Sequence, residues 1–359
     1  MINPNFWSKK KVLITGHTGF KGSWLTLILK SMDAKVIGIA LNPISKPNFF
    51  DDINLKTFLD ADYRKNIKNL NFISKTIKKH KPVIIFHLAA QSSVLKSYKN
   101  PIDTIESNVI GTANVLESIK CSNSVKVGII VTTDKVYLNL EKNKKFIESD
   151  QLGGYDIYSG SKAASEIIFQ SYKKSLIDNT KHAIATVRSG NCIGGGDWTK
   201  DRIMKDCAEK LIRNKTIILR SPKATRPWQH VIDPLFGYLI LAEKMYLDKK
   251  YSGSWNFGPN KKNNLKVIDL VKFCKKDLKS KSIIKFKKNK FYESTNLSLN
   301  SNKALKFLKW KNILTAKEAI KFTLAWYKLF FDKKSSKEII KFSFNQIKEY
   351  QKLLKLRKV

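Results

Sequence analysis

Tyr158 and Lys162 stand four residues apart, a spacing that puts both side chains on one face of a helix. A free phenol has a pKa of about 10 and is a poor base at neutral pH. A nearby ammonium, and an oxidised nicotinamide beside it, would favour the phenolate, so the pair reads as a unit that removes a proton. YxxxK is common in a lysine-rich chain, and alone it decides little. Thr132-Thr133-Asp134-Lys135 adds a hydroxyl, a carboxyl and an amine at the end of the apolar run 126–133. Upstream, Gly16, Gly19 and Gly22 form GxxGxxG between an apolar run and a helical pattern. Glycines so placed permit a tight turn and let backbone N–H groups approach a pyrophosphate at a helix N-terminus. A dinucleotide loop with a Tyr/Lys pair points to hydride chemistry coupled to proton removal.

These groups need a scaffold, and the pattern of the chain supplies one. Apolar runs at 10–15, 35–41, 83–88, 126–133 and 183–188 read as buried strands. Helical patterns at 23–31, 66–80, 102–120 and 159–175 alternate with them. That alternation predicts an α/β fold with a doubly wound parallel sheet of Rossmann type, which binds ligands at the carboxyl ends of its strands. The order breaks after Arg188, where a Gly- and Pro-punctuated stretch runs to Pro227. We therefore expect a dinucleotide-binding domain over 1–189, with a return segment near 229–260. A smaller mixed α/β substrate lobe is expected over 190–359, ending in an amphipathic helix from about Lys333.

The chain has 359 residues, 42% of them apolar, enough for a packed core. It has no apolar run long enough for a membrane span and no signal-peptide pattern. Four scattered cysteines without a CxxC, and five histidines without ligand spacing, suggest a reduced cytoplasmic protein and no metal site. The formal charge is +39, carried by 68 basic residues of which seven are arginine. A nucleic-acid binder would more often use arginine forks, and the lysines form no single patch, so they read as solvated faces; neither nucleic acid nor membrane is expected as a partner. Five arginines (Arg188, Arg202, Arg213, Arg220 and Arg226) fall in one short stretch. Where lysine fills most cationic positions, this clustering suggests a need for the planar fork, such as a diphosphate would supply.

The three-residue first spacing of the glycine loop resembles that of extended short-chain dehydrogenases. Asp62-Tyr63-Arg64 resembles that family's segment whose aspartate contacts adenine. His87-Leu88-Ala89-Ala90-Gln91 resembles its groove-lining HxAA segment, and 108–112 (NVIGT) its NVxGT motif. Within the family, Thr133-Asp134-Lys135-Val136-Tyr137 resembles the TSDKxY segment of CDP-glucose 4,6-dehydratases. So do GHTGFKGSW at 16–24, QSSVLKSY at 91–98, RSGNCIGGGDW at 188–198 with Asp201-Arg202, RPWQHV at 226–231 and WNFGP at 255–259. The resemblance spans about 7–330. It implies NAD as cofactor, held by Gly16, Thr18, Gly19, Phe20, Gly22, Asp62, Leu88, Ala89, Ala90 and Gln91 together with Tyr158 and Lys162. No acid follows the second strand to hold a ribose, so NAD rather than NADP rests on this resemblance alone.

The resemblance also implies a mechanism. Tyr158 takes the sugar 4-hydroxyl proton, with Thr133 bonding the same oxygen, while a hydride leaves C4. Lys135, or water held by it, removes the C5 proton, Asp134 protonates the departing 6-hydroxyl, and the hydride returns at C6. Asn191, Asp197, Arg202, Arg226 and Gln91 are the substrate-site candidates. A 4-epimerase or a 4,6-dehydratase acting on another nucleotide sugar is the alternative; an epimerase needs no acid–base pair beside Thr133. Family members pair through two long helices, here 102–120 and 159–175, so a homodimer or homotetramer is expected.

Overall fold

The structure is a computed structural model that describes residues 2–140, 144–200, 202–259, 263–287 and 297–357. Seven strands form one sheet: β1 (Lys11–Thr15), β2 (Lys35–Ala40), β3 (Ala61–Arg64), β4 (Ile84–His87), β5 (Val127–Val131), β6 (Ala183–Arg188) and β7 (Gly253–Asn256). All neighbours are parallel, in the order β7-β6-β5-β4-β1-β2-β3. The order reverses between β1 and β4. At such a switch point the loops leaving adjacent strands diverge and open a crevice.

The expected apolar runs form the sheet because it is covered on both faces. β4, β5 and β6 are buried along their whole length, so nothing in them alternates. Each fully buried Val or Ile there contributes roughly 1.5–3 kcal/mol of burial. β3 escaped the reading: Ala-Asp-Tyr-Arg is half-buried at the sheet edge and shows no apolar run.

Helices α1 (Phe20–Lys30), α2 (Leu70–His80), α3 (Gly111–Lys120) and α4 (Ile157–Tyr172) flank the sheet. α3 continues a helical path from Pro101–Ile105 through a π turn at Glu106–Ile110. α2, α3 and α4 pack together against one face; α1 packs against the other, with α6 below. Beyond β6 come α5 (Ile203–Ile212), α6 (Ile232–Leu247) and α7 (Val267–Asp277). α6 is apolar nearly all round because it lies under β5 and β6 while α1 and the helical segment Asn302–Leu308 pack on its other sides. The chain then adds β7 beside β6. Short two-stranded pairings, α8 (Ala316–Phe331) and α9 (Ser336–Leu356) complete the fold.

Capping boxes at Thr315/Glu318 and Ser335/Glu338 start α8 and α9, each worth about 1 kcal/mol. Among the described residues no helix is long and apolar enough to cross a membrane. Asp201 lies outside the described residues.

Candidate active site

The glycine loop leaves β1 at the switch point. Gly16 has φ +80°, and a Cβ there would lie 2.6 Å from the Ala89 nitrogen. A Cβ on Gly22 would lie 2.2 Å from the Gly16 carbonyl oxygen. The loop, the start of α1 and the end of β4 are thus in backbone contact. Gly19 differs: it N-caps α1 without a side-chain cap, and its Cβ would meet only the Gly16 oxygen at 3.4 Å. First-turn N–H groups with no capping side chain form an anion site, so this cradle fits a dinucleotide pyrophosphate. Thr18 donates its hydroxyl to the Leu41 carbonyl, tying the loop to the end of β2. Phe20 is half-buried against Gly194.

Leu88, Ala89 and Ala90 are half-buried after β4. A chain of buried bonds fixes this edge. Thr112 donates to the Asn108 carbonyl and so accepts from His87 Nε2, which assigns the imidazole proton to Nε2. His87 Nδ1 then accepts from Thr15, which accepts from the Ala89 N–H. Burial, assisted by the Lys162 charge, pushes His87 down to about 3, so it is neutral. Gln91 is turned inward: its amide donates to the Ser93 carbonyl and Thr104 and accepts from the Ser93 N–H. These bonds fix the shape of the loop after β4.

Asp62, on β3, also has both oxygens engaged. Oδ1 lies 2.9 Å from His17 Nε2 and Oδ2 2.8 Å from an Arg64 nitrogen. Burial raises its pKa, but the His17 bond and the two charges outweigh that and hold it below the usual carboxylate range. The His17 ring fits because Gly38 leaves room; a Cβ there would be 2.5 Å from Nδ1.

The acid–base groups follow β5. Thr133 caps a short turn, Asp134–Val136, and bonds Asp134 Oδ1 at 3.0 Å. Asp134 is buried, its Oδ2 has no partner, and that oxygen faces Gly190, where a Cβ would lie 2.9 Å away. Burial pushes its pKa up despite Lys135, Thr133, Lys21 and Arg226 around it. Lys135 is half-buried.

Tyr158 sits in the first turn of α4, which Asp156 caps by accepting from Ser159 N–H. Its phenol bonds Thr133 and feels the charges of Asp134, Arg202 and Lys21. Burial raises the Tyr158 pKa, opposed by the Thr133 bond and the charges of Arg202 and Lys21. Lys162 donates to the Val131 carbonyl at 2.9 Å, and burial lowers its own pKa to about 8.

Lys21 was missed. A lysine in an apolar-faced helix reads as a surface residue, and only the fold shows it reaching inward. Its ammonium donates to Ser189 Oγ at 2.7 Å, and Tyr238 donates to the same oxygen. Burial opposes its charge, but Cys192, Tyr238, Tyr158 and Asp134 outweigh that and raise its pKa.

The arginine cluster divides. Arg188 is fully buried and forks onto Glu166, with Nε–Oε1 and Nη2–Oε2 both 2.8 Å. The fork is used, but on an internal carboxylate rather than an anionic substrate. Arg213 lies over the Phe331 ring. Arg226 is buried near Asp134 and donates to the Thr225 carbonyl. Arg202 is half-exposed, 3.8 Å from Asp197 and near Tyr158. Asp197 also accepts from the Thr199 N–H, and the Asn191 carbonyl accepts from the Gln229 N–H. Trp198 and Trp228 are core residues rather than open stacking surfaces, their indoles donating to Asp52 and to the Leu265 carbonyl.

Comparison with known proteins agrees with this fold. The family model described as GDP-mannose 4,6 dehydratase matches residues 13–323. A CDP-glucose 4,6-dehydratase of Salmonella typhimurium is 39% identical over 277 residues, covering 76% of this chain and 77% of that one. The human dTDP-D-glucose 4,6-dehydratase is 26% identical, covering 89% and 90%. Among solved structures, a dTDP-glucose 4,6-dehydratase from Streptomyces venezuelae with NAD and TYD bound superposes with a TM-score of 0.77 at 20% identity, covering 89% and 97%. A UDP-glucose 4-epimerase from Thermotoga maritima gives 0.76 at 19% identity, covering 89% and 99%, so the fold alone does not separate the two reactions. The chain belongs to the GDP-mannose 4,6 dehydratase family.

Proposed function

We propose that the protein is a CDP-glucose 4,6-dehydratase, converting CDP-glucose to CDP-4-keto-6-deoxyglucose and water through bound NAD. The observation that carries this reading is a buried Asp134 in the turn after β5, bonded to Thr133 through one carboxylate oxygen while the other, unpartnered, faces Gly190. The relative of that name supports the choice of nucleotide. Gly16, Gly19 and Gly22 would hold the pyrophosphate and Leu88–Ala90 would line the groove. Bound there, a nicotinamide would supply the hydride acceptor for C4 and the hydride donor for C6.

The residues divide the remaining work. Tyr158 takes the proton from O4, with Thr133 fixing that oxygen. Lys162, with a pKa near 8, holds positive charge in the site around neutral pH. Oxidation at C4 makes the C5 proton acidic; Lys135, or a water it holds, removes it and returns a proton to C5 when the hydride arrives at C6. Asp134, whose pKa burial raises, gives its proton to the departing O6, so one water leaves. Arg226 and Arg202 bind the diphosphate and sugar, with Asn191 and Asp197 beside them.

We infer a homodimer or a higher pairing as well. Ile102, Ile105, Ile110, Ile157 and Ile167 are exposed on the paired helical segments 101–120 and 157–172, an apolar face that a second copy would cover. A cytoplasmic setting suits the four free thiols. Incubation with CDP-, dTDP-, UDP- and GDP-glucose tests the reading. Loss of one water is expected fastest from CDP-glucose; an epimerised product with no water lost, or faster turnover of another nucleotide, would refute it.

A further inference from the structure

Behind the acid–base segment lies a buried polar network that the mechanism above does not use. Glu166, on α4, accepts from Thr132 at 2.5 Å and Thr186 at 2.7 Å as well as from the Arg188 fork. The other Arg188 nitrogen, Nη1, donates to the Tyr137 hydroxyl at 2.6 Å, and that hydroxyl donates to Asn256 Oδ1 at 2.8 Å. Asn256 in turn donates to the Phe146 carbonyl, and the Tyr137 ring stacks on Phe146 with centroids 4.8 Å apart. Thr132 and Tyr137 flank Thr133-Asp134-Lys135-Val136, so the network grips that segment at both ends. Glu166 and Arg188 are both fully inside the protein.

A buried ion pair adds little net stability, because desolvation offsets its Coulomb attraction. What a fully satisfied buried network does supply is a single geometry. The half of the reaction most sensitive to that geometry is water loss, which needs Asp134 and Lys135 aimed at two neighbouring carbons. Tyr158, which starts the reaction, lies about two turns before Glu166, in the capped first turn of α4, and makes no bond to Tyr137 or Asn256 among the described residues.

We infer that Tyr137, held by the Glu166–Arg188 pair, is a positioning residue for the water-loss half of the reaction, acting on where Asp134 and Lys135 point. This rests on the dehydratase reading above. Tyr137→Phe keeps the ring stack and removes only the hydroxyl that joins Arg188 to Asn256. In rapid mixing with CDP-glucose, cofactor reduction at C4 should stay within about twofold of wild type. Turnover should fall roughly ten- to a hundredfold at unchanged KM, the cost of a displaced catalytic group, and reduced cofactor should accumulate. Asn256→Ala, which removes the same bond from the other side, should give the same signature, so a folding defect in one variant does not decide the matter. An equal fall in both halves, selective loss of cofactor reduction, or wild-type turnover in both variants would overturn the inference. A wild-type enzyme that neither reduces its cofactor nor loses water from CDP-glucose would instead refute the dehydratase reading.

Discussion

Asp134 is a carboxyl group whose pKa burial raises, and a raised pKa suits an acid that must protonate a poor leaving group. Its pKa is raised by burial, so it stays protonated to higher pH than an exposed aspartate; activity that depends on its proton is lost as pH rises through that raised value. Asp134→Asn is expected to retain cofactor reduction and to lose about 10²–10⁴ in turnover, read from the product and the nicotinamide absorbance together. Tyr158→Phe should do the opposite and block reduction itself; normal transient formation of reduced cofactor in that variant would remove Tyr158 from its role. The residue types and order of Thr133, Asp134, Lys135, Tyr158 and Lys162 were readable because each is a local signature. Lys21 and Arg188 were not. One reads as a surface cation and the other as a substrate arginine until the fold places Ser189 and Glu166 beside them.

At the scale of elements, the glycine loop makes a contrast that can be measured. Gly22 packs against the Gly16 carbonyl, so Gly22→Ala forces backbone to move, at a cost of about 1–3 kcal/mol. Melting temperature and NAD affinity should fall together. A Cβ on Gly19 would make only an ordinary contact, with the Gly16 oxygen at 3.4 Å. Gly19→Ala should leave the melting temperature within a few degrees and weaken NAD binding selectively, as a calorimetric titration would show. An equal loss of stability in both variants would mean that the three glycines serve the turn alone. The strands were legible because burial on both faces gives unbroken apolar runs. β3 was not, since an edge strand carrying Asp62 and Arg64 shows neither an apolar run nor alternation. The helix starts at Thr315 and Ser335 rest on caps that the apolar pattern does not report.

At the scale of the whole molecule, buried ionisable groups set the pH range of stability from both sides. Burial holds His87 and His230 down at about 3, against 6.5 for the free side chain. The unfolded chain therefore takes up these protons first, and stability is lost as pH falls from 6.5 towards 3. Asp233 acts in the other direction. It accepts from the Ile313 N–H and Tyr350, its second oxygen has no partner, and burial pushes it up to about 7. Its contribution is full below 3.8 and is lost as pH rises to about 7. Asp233→Asn keeps the accepting oxygen and cannot ionise. It should raise the melting temperature relative to wild type at about pH 8 and leave it nearly unchanged at about pH 4. A variant less stable at both would show that the carboxylate, and not its protonated form, is what α6 and α9 require.

The central claim is an oxidation, a loss of water and a re-reduction within one active site, and isotope tracing tests it most directly. With CDP-glucose deuterated at C4, the label should appear at C6 of the 4-keto-6-deoxy product, with no net change in the cofactor. Deuterium found in solvent, left at C4 or carried off on released cofactor would contradict the account.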